Sequence, residues 1–228
     1  EVIIVTVISA PGSYTPGFAY HTIYDYIYGS NVGDLTNDND FPTRPNREVM
    51  LKGFTNTSQG ENYGSTVRTW LIAPITGAYR FWISANNSAD LYLSNDGMPA
   101  NMTNICGLDS SSDKNQWDKY TTQKSVTYSL TAGQVCYVEA RHKQSYGKDH
   151  LSVAWEIRDT LDTQTLVPRE VIPGRYLSPH YMNYTPRAYA RNVDLYRNSY
   201  SGYRVTTPFA TDPNSIDSLT WSITAGNG

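Results

Sequence analysis

The chain of 228 residues has room for one large β domain, or for one domain with partial neighbours. Its net charge is −3, only 17% of its residues are charged, and Lys and Arg form no cluster that could follow a phosphate backbone, so no nucleic acid partner is predicted. No apolar run approaches the ~18 residues of a membrane-spanning helix, so no membrane segment is predicted. The chain opens at Glu1 without a methionine or a leader-type segment, which favours an excerpt of a longer protein.

The strands are predicted from β-branched and alternating apolar residues between turn signals. A β-branched strand opens the chain at residues 2–8, and the polar residues 31–47 indicate a long surface connection. Alternation then predicts strands at residues 49–54, 66–72, 78–84, 89–94, 125–130, 134–142 and 151–157. No segment has a sustained helical period. Many short strands with turn signals predict an all-β fold, an antiparallel β-sandwich or barrel.

Two groups of neighbouring strands carry predictions about pairing. The segment from Trp70 to Asp96 reads as an antiparallel meander of three strands whose polar chemistry lies in the connection Asn86–Asn87. The strands at 134–142 and 151–157 read as a hairpin joined by the loop 143–149. The faces predicted to be apolar are Tyr79, Phe81 and Ile83, then Leu91 and Leu93, then Cys136, Val138 and Ala140, and finally Leu151, Val153, Trp155 and Ile157.

The composition suggests an extracellular protein. Tyrosine is abundant, with 19 copies against 5 phenylalanines, and Asn, Ser and Thr are frequent. Two cysteines, an even count in such a composition, predict a disulfide between Cys106 and Cys136, with two buried free thiols as the alternative. Asn-X-Ser/Thr triplets make four asparagines candidates for N-glycosylation: Asn56, Asn86, Asn101 and Asn183.

A series of sequence blocks resembles the PA-fourteen domain, which is named for anthrax protective antigen. The blocks are FPTRP, NYGSTVRTWLIAPITGAYRFWIS, ADLYLSND, WDKYTTQKS, YSLTAGQVCYVEARHK, DHLSVAWE and VIPGRYLSP, from residue 41 to residue 179. The resemblance implies an antiparallel β-sandwich over residues 13–186. Residues 1–12 would then be the end of a preceding domain or a linker strand, and residues 187–228 the start of a further β-repeat.

The resemblance also locates a candidate binding loop. In lectin-type members of the family, two consecutive aspartates hold a calcium ion that coordinates sugar hydroxyls, and the matching positions here are Asn86 and Asn87. Two neutral amides remove both negative charges, so calcium is expected to bind weakly at best. Asp90, Gln144 and Asp149 complete this degenerate calcium or glycan loop. Since Asn86 is also a glycosylation candidate, a covalent glycan at this position is a further alternative.

The last forty residues resemble the opening strands of a cadherin-type repeat. Asn198, Asp212 and the strand at 219–223 match that pattern, whereas Arg197 and Asn214 replace acidic residues. A guanidinium in place of a carboxylate argues against calcium at Asp212 and Asn214.

These observations predict a non-catalytic structural or adhesive module of a long, extracellular, multidomain surface or filament protein. Its partners would be neighbouring repeats or copies of the same protein, with glycans as alternative partners. A calcium-dependent lectin domain is the first alternative function, and an accessory domain of a glycoside hydrolase is the second. No enzyme activity is predicted, because His142, His150 and Asp149 lack the further groups that a catalytic or metal site needs. No cofactor other than weakly held calcium is predicted.

Overall fold

The computed structural model describes residues 14, 16–57 and 59–180, together with the backbone of the strands at 3–8, 187–189, 209–211 and 218–223. The chain divides into two units. One is Ser13–Tyr181, and the other consists of Glu1–Gly12 and Met182–Gly228. Within the described residues, no helix has the length and apolar character needed to cross a bilayer.

The strands are β1 (Ile3–Ile8), β2 (Ala19–Asp25), β3 (Arg47–Leu51), β4 (Thr55–Thr57), β5 (Tyr63–Ile72), β6 (Gly77–Ala85), β7 (Ser88–Ser94), β8 (Thr103–Leu108), β9 (Tyr128–Leu130), β10 (Val135–Gln144), β11 (His150–Arg158), β12 (Thr165–Val171), β13 (Leu177–Pro179), β14 (Arg187–Tyr189), β15 (Phe209–Thr211) and β16 (Ser218–Ile223). The helical elements are the α-helix α1 (Val32–Thr36) and three 3-10 helices, Pro99–Asn101, Thr121–Gln123 and Gly174–Tyr176.

The unit Ser13–Tyr181 is a sandwich of two antiparallel sheets, as the sequence predicts. The large sheet has seven strands in the order β3-β2-β5-β10-β7-β8, and β13 also pairs with β5, beyond the end of β2. The small sheet has five strands in the order β12-β11-β6-β9, with β4 paired to the first residues of β11.

Both sequence-based predictions of strand pairing are wrong. In the predicted meander, β5 and β7 belong to the large sheet and β6 to the small sheet, so the chain crosses the sandwich twice. In the predicted hairpin, β10 pairs with β5 and β7, whereas β11 pairs with β6, β12 and β4. The alternation of apolar and polar residues shows which face of a strand is apolar. It does not show which strands pair, because the predicted and the observed pairings bury the same faces.

The predicted apolar faces form the core between the two sheets. The small sheet contributes Phe81 and Trp155 and the large sheet Val138 and Leu91, all of them fully buried. Because each large buried side chain is worth about 1.5–3 kcal/mol of transfer free energy, this core is the main source of stability.

The outer face of the large sheet is also covered. Helix α1 packs Leu35 onto it at Gly64, where a Cβ atom would come within 2.5 Å of the Leu35 side chain. Farther along the same face, Arg68 and Glu139 form a buried ion pair with an N–O distance of 3.2 Å. Burial tends to raise the pKa of Glu139, but Arg68 and Arg141 outweigh it and lower that pKa.

The predicted disulfide is wrong, because Cys106 and Cys136 are both free and buried. Cys106 on β8 pairs with Leu91 on β7, which in turn pairs with Ala140 on β10. Cys136 lies on β10, two strands from β8 and four residues along the strand from Ala140. The spacing between strands and the rise per residue therefore place the two cysteines about 16 Å apart. A disulfide requires Cα atoms within about 7 Å.

The terminal unit is described by its strands alone. β1 pairs with β16 over Ile3–Ile8 and Ser218–Ile223, and β14 pairs with β15. The cadherin-type candidates Asp212 and Asn214, with Arg197 and Asn198, lie outside the described residues. The assignment of residues 1–12 and 187–228 to neighbouring repeats stays a prediction.

Candidate functional site

Three connections meet at one end of the sandwich, which we call the loop end. They are the two-residue turn Asn86–Asn87 between β6 and β7, the segment 109–116 after β8, and the loop 145–149 between β10 and β11. The turn and the loop 145–149 both cross between the sheets, so each joins a strand end of one sheet to a strand end of the other.

Asn86 is the centre of the hydrogen-bond network at the loop end. Its side-chain Nδ2 donates to the carbonyl of Tyr146 at 3.1 Å, and its Oδ1 accepts from the hydroxyl of Ser111 at 2.6 Å and from the N–H of Asn87 at 3.0 Å. Its backbone carbonyl accepts from Nε2 of His142 at 2.8 Å. One buried asparagine thus ties all three connections together.

Asn87 completes the turn. Its backbone has a φ of +59°, a left-handed conformation that asparagine adopts more readily than most residues. Its N–H also donates to the Ser111 hydroxyl at 2.8 Å, and its Oδ1 accepts from the N–H of Ser145 at 2.8 Å. Among the described residues, the one cis peptide bond precedes Pro42, and the Asn86–Asn87 bond is trans.

The carboxylate of Asp149 is occupied by donors from a neighbouring loop. Its Oδ1 accepts from the buried hydroxyl of Tyr63 at 2.7 Å, and its Oδ2 accepts from the backbone N–H groups of Gln59 and Gly60. Burial, followed by the charge of Asp149, raises the pKa of Tyr63. Asp149 therefore anchors the segment 59–63 to the loop end.

A cleft of about 440 Å³ opens at the loop end, lined by Asn86, residues 111–114 and residues 146–150. Its lining residues carry hydroxyl, amide, ammonium, carboxylate and imidazole groups, and Tyr146, which is 62% exposed, is one of them. Gly147 has a φ of +99°, and a Cβ atom there would lie 3.3 Å from Nδ2 of Asn86. Polar groups and apolar side-chain surface both line the cleft, with one aromatic ring at its edge.

Two buried histidines at the loop end are held in their neutral forms. Burial lowers the pKa of His142 to about 4, against the opposing effect of its hydrogen bond to Asn86. Burial also lowers the pKa of His150, which is 5% exposed and lines the cleft.

The residues at the turn do not fit calcium. Ca²⁺ takes six to eight oxygen ligands, with carboxylates prominent among them. Here both acceptor positions of the Asn86 amide oxygen are filled, and the Asn87 oxygen and the Asp149 carboxylate already accept protein donors. Within the described part of the chain, no three His, Cys, Asp or Glu side chains are grouped to hold a metal ion.

The five residues predicted for the loop site separate in the structure. Asn86, Asn87 and Asp149 meet at the loop end. Asp90 lies on the outer face of the large sheet, where it pairs across the strands with Arg141 and Gly107 and where burial raises its pKa. Gln144 is fully buried and does not line the cleft.

The candidate glycosylation sites differ in exposure. Asn56 and Asn86 are buried, at 5% and 8% exposure, and Nδ2 of Asn86 is already a donor within the protein. Asn101 is exposed in a 3-10 helix. Asn183 lies outside the described residues. Asn101 is therefore the accessible acceptor among the described three.

Sequence reasoning missed Ser111 and Tyr146. The only signal for Ser111 is the run of serines at 110–112, which indicates a loop and no particular contact. Tyr146 is one of 19 tyrosines, and nothing in the sequence separates it from those on strands.

No family model matches the chain. Its fold is similar to an anti-sigma factor domain-containing protein from Clostridium clariflavum, with a TM-score of 0.50, 15% identity, and 75% of this chain matching 49% of that one. It is also similar to the PA14 sugar-binding domain from an RTX adhesin, with a TM-score of 0.50, 12% identity, and 73% of this chain matching 100% of that one.

A third similar structure is the Epithelial Adhesin 6 A domain from Candida glabrata in complex with Galb1-3GlcNAc, with a TM-score of 0.47, 13% identity, and coverages of 75% and 92%. The chain spans about half the length of the anti-sigma factor domain-containing protein. At these identities the comparisons show the fold, and the fold is a PA14-type antiparallel β-sandwich.

Proposed function

We propose that the chain is a non-catalytic adhesive module of an extracellular surface protein, and that its cleft binds neutral carbohydrate without calcium. The observation that carries this proposal is the cleft of about 440 Å³ at the loop end, with hydroxyl, amide and charged side chains in its walls and an exposed tyrosine ring. Sugars offer hydroxyls for the polar wall and apolar ring faces for the aromatic one.

The fold supports the same proposal. One protein of this fold is described as a sugar-binding domain of an adhesin. The calcium-dependent version of this activity is disfavoured here, because the oxygens of Asn86, Asn87 and Asp149 accept hydrogen bonds from the protein itself. Those bonds hold the cleft in shape without an ion.

A structural link between neighbouring repeats is the second candidate. It is favoured by the same internal bonds, since a loop end that satisfies its own polar groups is also suited to a passive spacer. If the chain is a structural link, it should bind no sugar, and substitutions in the cleft should leave its function unchanged.

A glycan array in excess EDTA tests the proposal. Wild-type protein should bind neutral glycans, and the Tyr146→Ser variant should lose most of that signal because the aromatic face is removed. Tyr28→Ser is the matched control, since Tyr28 is 70% exposed and does not line the cleft. Absence of binding by folded wild-type protein, with or without calcium, would contradict the proposal and favour the structural link.

A further inference from the structure

The two carboxylates that line the cleft differ in what they bind. Asp149 already accepts hydrogen bonds from the hydroxyl of Tyr63 and from two backbone N–H groups. Asp113 is exposed and lines the cleft, and within the described part of the chain its carboxylate forms no ion pair and accepts no hydrogen bond. Asp113 therefore presents a charged acceptor that is accessible to a ligand in the cleft.

The backbone on both sides of Asp113 is fixed to the small sheet. The N–H groups of Ser112 and Asn115 donate to the last two residues of β6, at 2.9 Å and 3.1 Å. Between them, the N–H of Asp113 donates to Oε1 of Gln116 at 3.0 Å, and the N–H of Gln116 donates to the carbonyl of Asp113 at 2.9 Å. Because an aspartate side chain is short, this turn positions the carboxylate before a ligand binds, and little order has to be gained on binding.

The charge of Asp113 acts on the interior of the cleft. Burial lowers the pKa of His150, and the carboxylate of Asp113 is among the groups whose charge opposes that effect. Both residues line the cleft. The carboxylate is thus within electrostatic range of a second lining residue, in addition to being exposed.

The lining as a whole has no net charge. It holds two carboxylates, on Asp113 and Asp149, and two ammonium groups, on Lys114 and Lys148, while burial keeps His150 neutral. Such a lining offers charged donors and acceptors without favouring an ionic ligand, which agrees with a neutral sugar. The ammonium groups stand on long, flexible side chains, whereas Asp113 stands on a fixed turn, so its carboxylate is the group best placed to select a hydroxyl arrangement.

We propose that Asp113 is the specificity-determining acceptor of the cleft, and that its two carboxylate oxygens accept hydrogen bonds from neighbouring hydroxyls of a neutral sugar. This assignment rests on the proposed function. An ionised carboxylate has two oxygens that only accept, so one side chain can hold two hydroxyls. Hydrogen bonds to an ionised acceptor are roughly twice as strong as those between neutral groups, so the charge of Asp113 should contribute to affinity beyond its shape.

The experiment compares four proteins: wild type, Asp113→Asn, Asp113→Ala and the control Asp109→Ala. Asparagine keeps the shape and one oxygen but loses the charge, and alanine removes both oxygens. Asp109 is exposed on the same segment 109–116 and does not line the cleft. Affinity for lactose, maltose and mannobiose is measured by calorimetry in excess EDTA at low and at high salt, with thermal unfolding of each protein as the folding control.

Wild type should bind one of these sugars, with a Kd that salt leaves unchanged because the ligand carries no charge. Asp113→Asn should bind it about tenfold more weakly and Asp113→Ala more weakly still, whereas Asp109→Ala should match wild type.

Wild-type affinity in either folded Asp113 variant would overturn the assignment and leave the proposed function standing. Tighter binding by Asp113→Asn would also overturn it, and would assign recognition to Lys114 and Lys148. Failure of wild type to bind any of the three sugars would overturn the assignment together with the proposed function for this ligand class.

Discussion

The Ser111 hydroxyl is the strongest single connection between the segment 109–116 and the turn, so its removal is the most informative perturbation. Ser111→Ala deletes the bond to Oδ1 of Asn86 at 2.6 Å and the bond from the N–H of Asn87 at 2.8 Å. At about 0.5–1.5 kcal/mol each, the two bonds are worth ~1–3 kcal/mol. The N–H of Asn87 keeps its contact with Oδ1 of Asn86, so we expect a loss of about 2 kcal/mol.

Equilibrium unfolding in urea measures this loss directly, and thermal unfolding should show a decrease in Tm of about 4–8 °C for a unit of this size. Ser110→Ala is the matched control, because Ser110 is the exposed neighbour of Ser111. Added calcium should not restore the stability of Ser111→Ala, since no ion replaces the hydroxyl. If the two alanine variants were equally stable, the hydrogen-bonded turn would not be the structure that shapes the cleft.

Three further predictions concern the rest of the sandwich. Burial lowers the pKa of His142 from 6.5 to about 4. On acidification, the His142 ring therefore binds a proton at a higher pH in the unfolded chain than in the folded chain. Between about pH 6.5 and pH 4, His142 should contribute a loss of about 1.4 kcal/mol per pH unit to the free energy of unfolding in urea. His142→Gln should reduce the measured slope by that amount, while His21, His150 and His180, whose pKa values are also lowered by burial, keep their contributions. Glu139→Gln should cost about 3–5 kcal/mol by leaving Arg68 buried without its carboxylate, and a cost under 1 kcal/mol would count against a buried pair. Cys106 and Cys136 should react with a thiol reagent only after unfolding, and an unchanged Tm in reductant would agree with free thiols.

The sequence predicts the fold class because the alternation of apolar and polar residues shows which side chains of each strand are buried. Phe81 and Ile83 on β6 and Val153 and Trp155 on β11 face the core as their alternation requires. The strand Thr103–Leu108 escaped prediction, since Thr and Asn at its start are exposed and give no apolar period. Pairing escaped prediction as well, because a short connection such as Asn86–Asn87 can join strands of one sheet or of two.

The site was predictable only in part. The resemblance points to Asn86 and Asn87, and the loop expected to oppose them adds Asp149; these three do meet at the loop end. Nearness in the sequence also suggests Asp90, which alternation places on the opposite face of β7 from Leu91. The contribution of Ser111 depends on how a loop after β8 folds back over the turn, and no local pattern in the sequence encodes that contact.

The central claim is that the cleft binds neutral sugar in the absence of calcium. The most direct measurement is the Kd of the wild-type protein for the disaccharide that it binds best, determined by calorimetry once in excess EDTA and once in millimolar calcium. We expect the same Kd in both buffers, because the side-chain oxygens of Asn86 and Asn87 already accept hydrogen bonds from Ser111 and Ser145. Binding that appears only with calcium would contradict it.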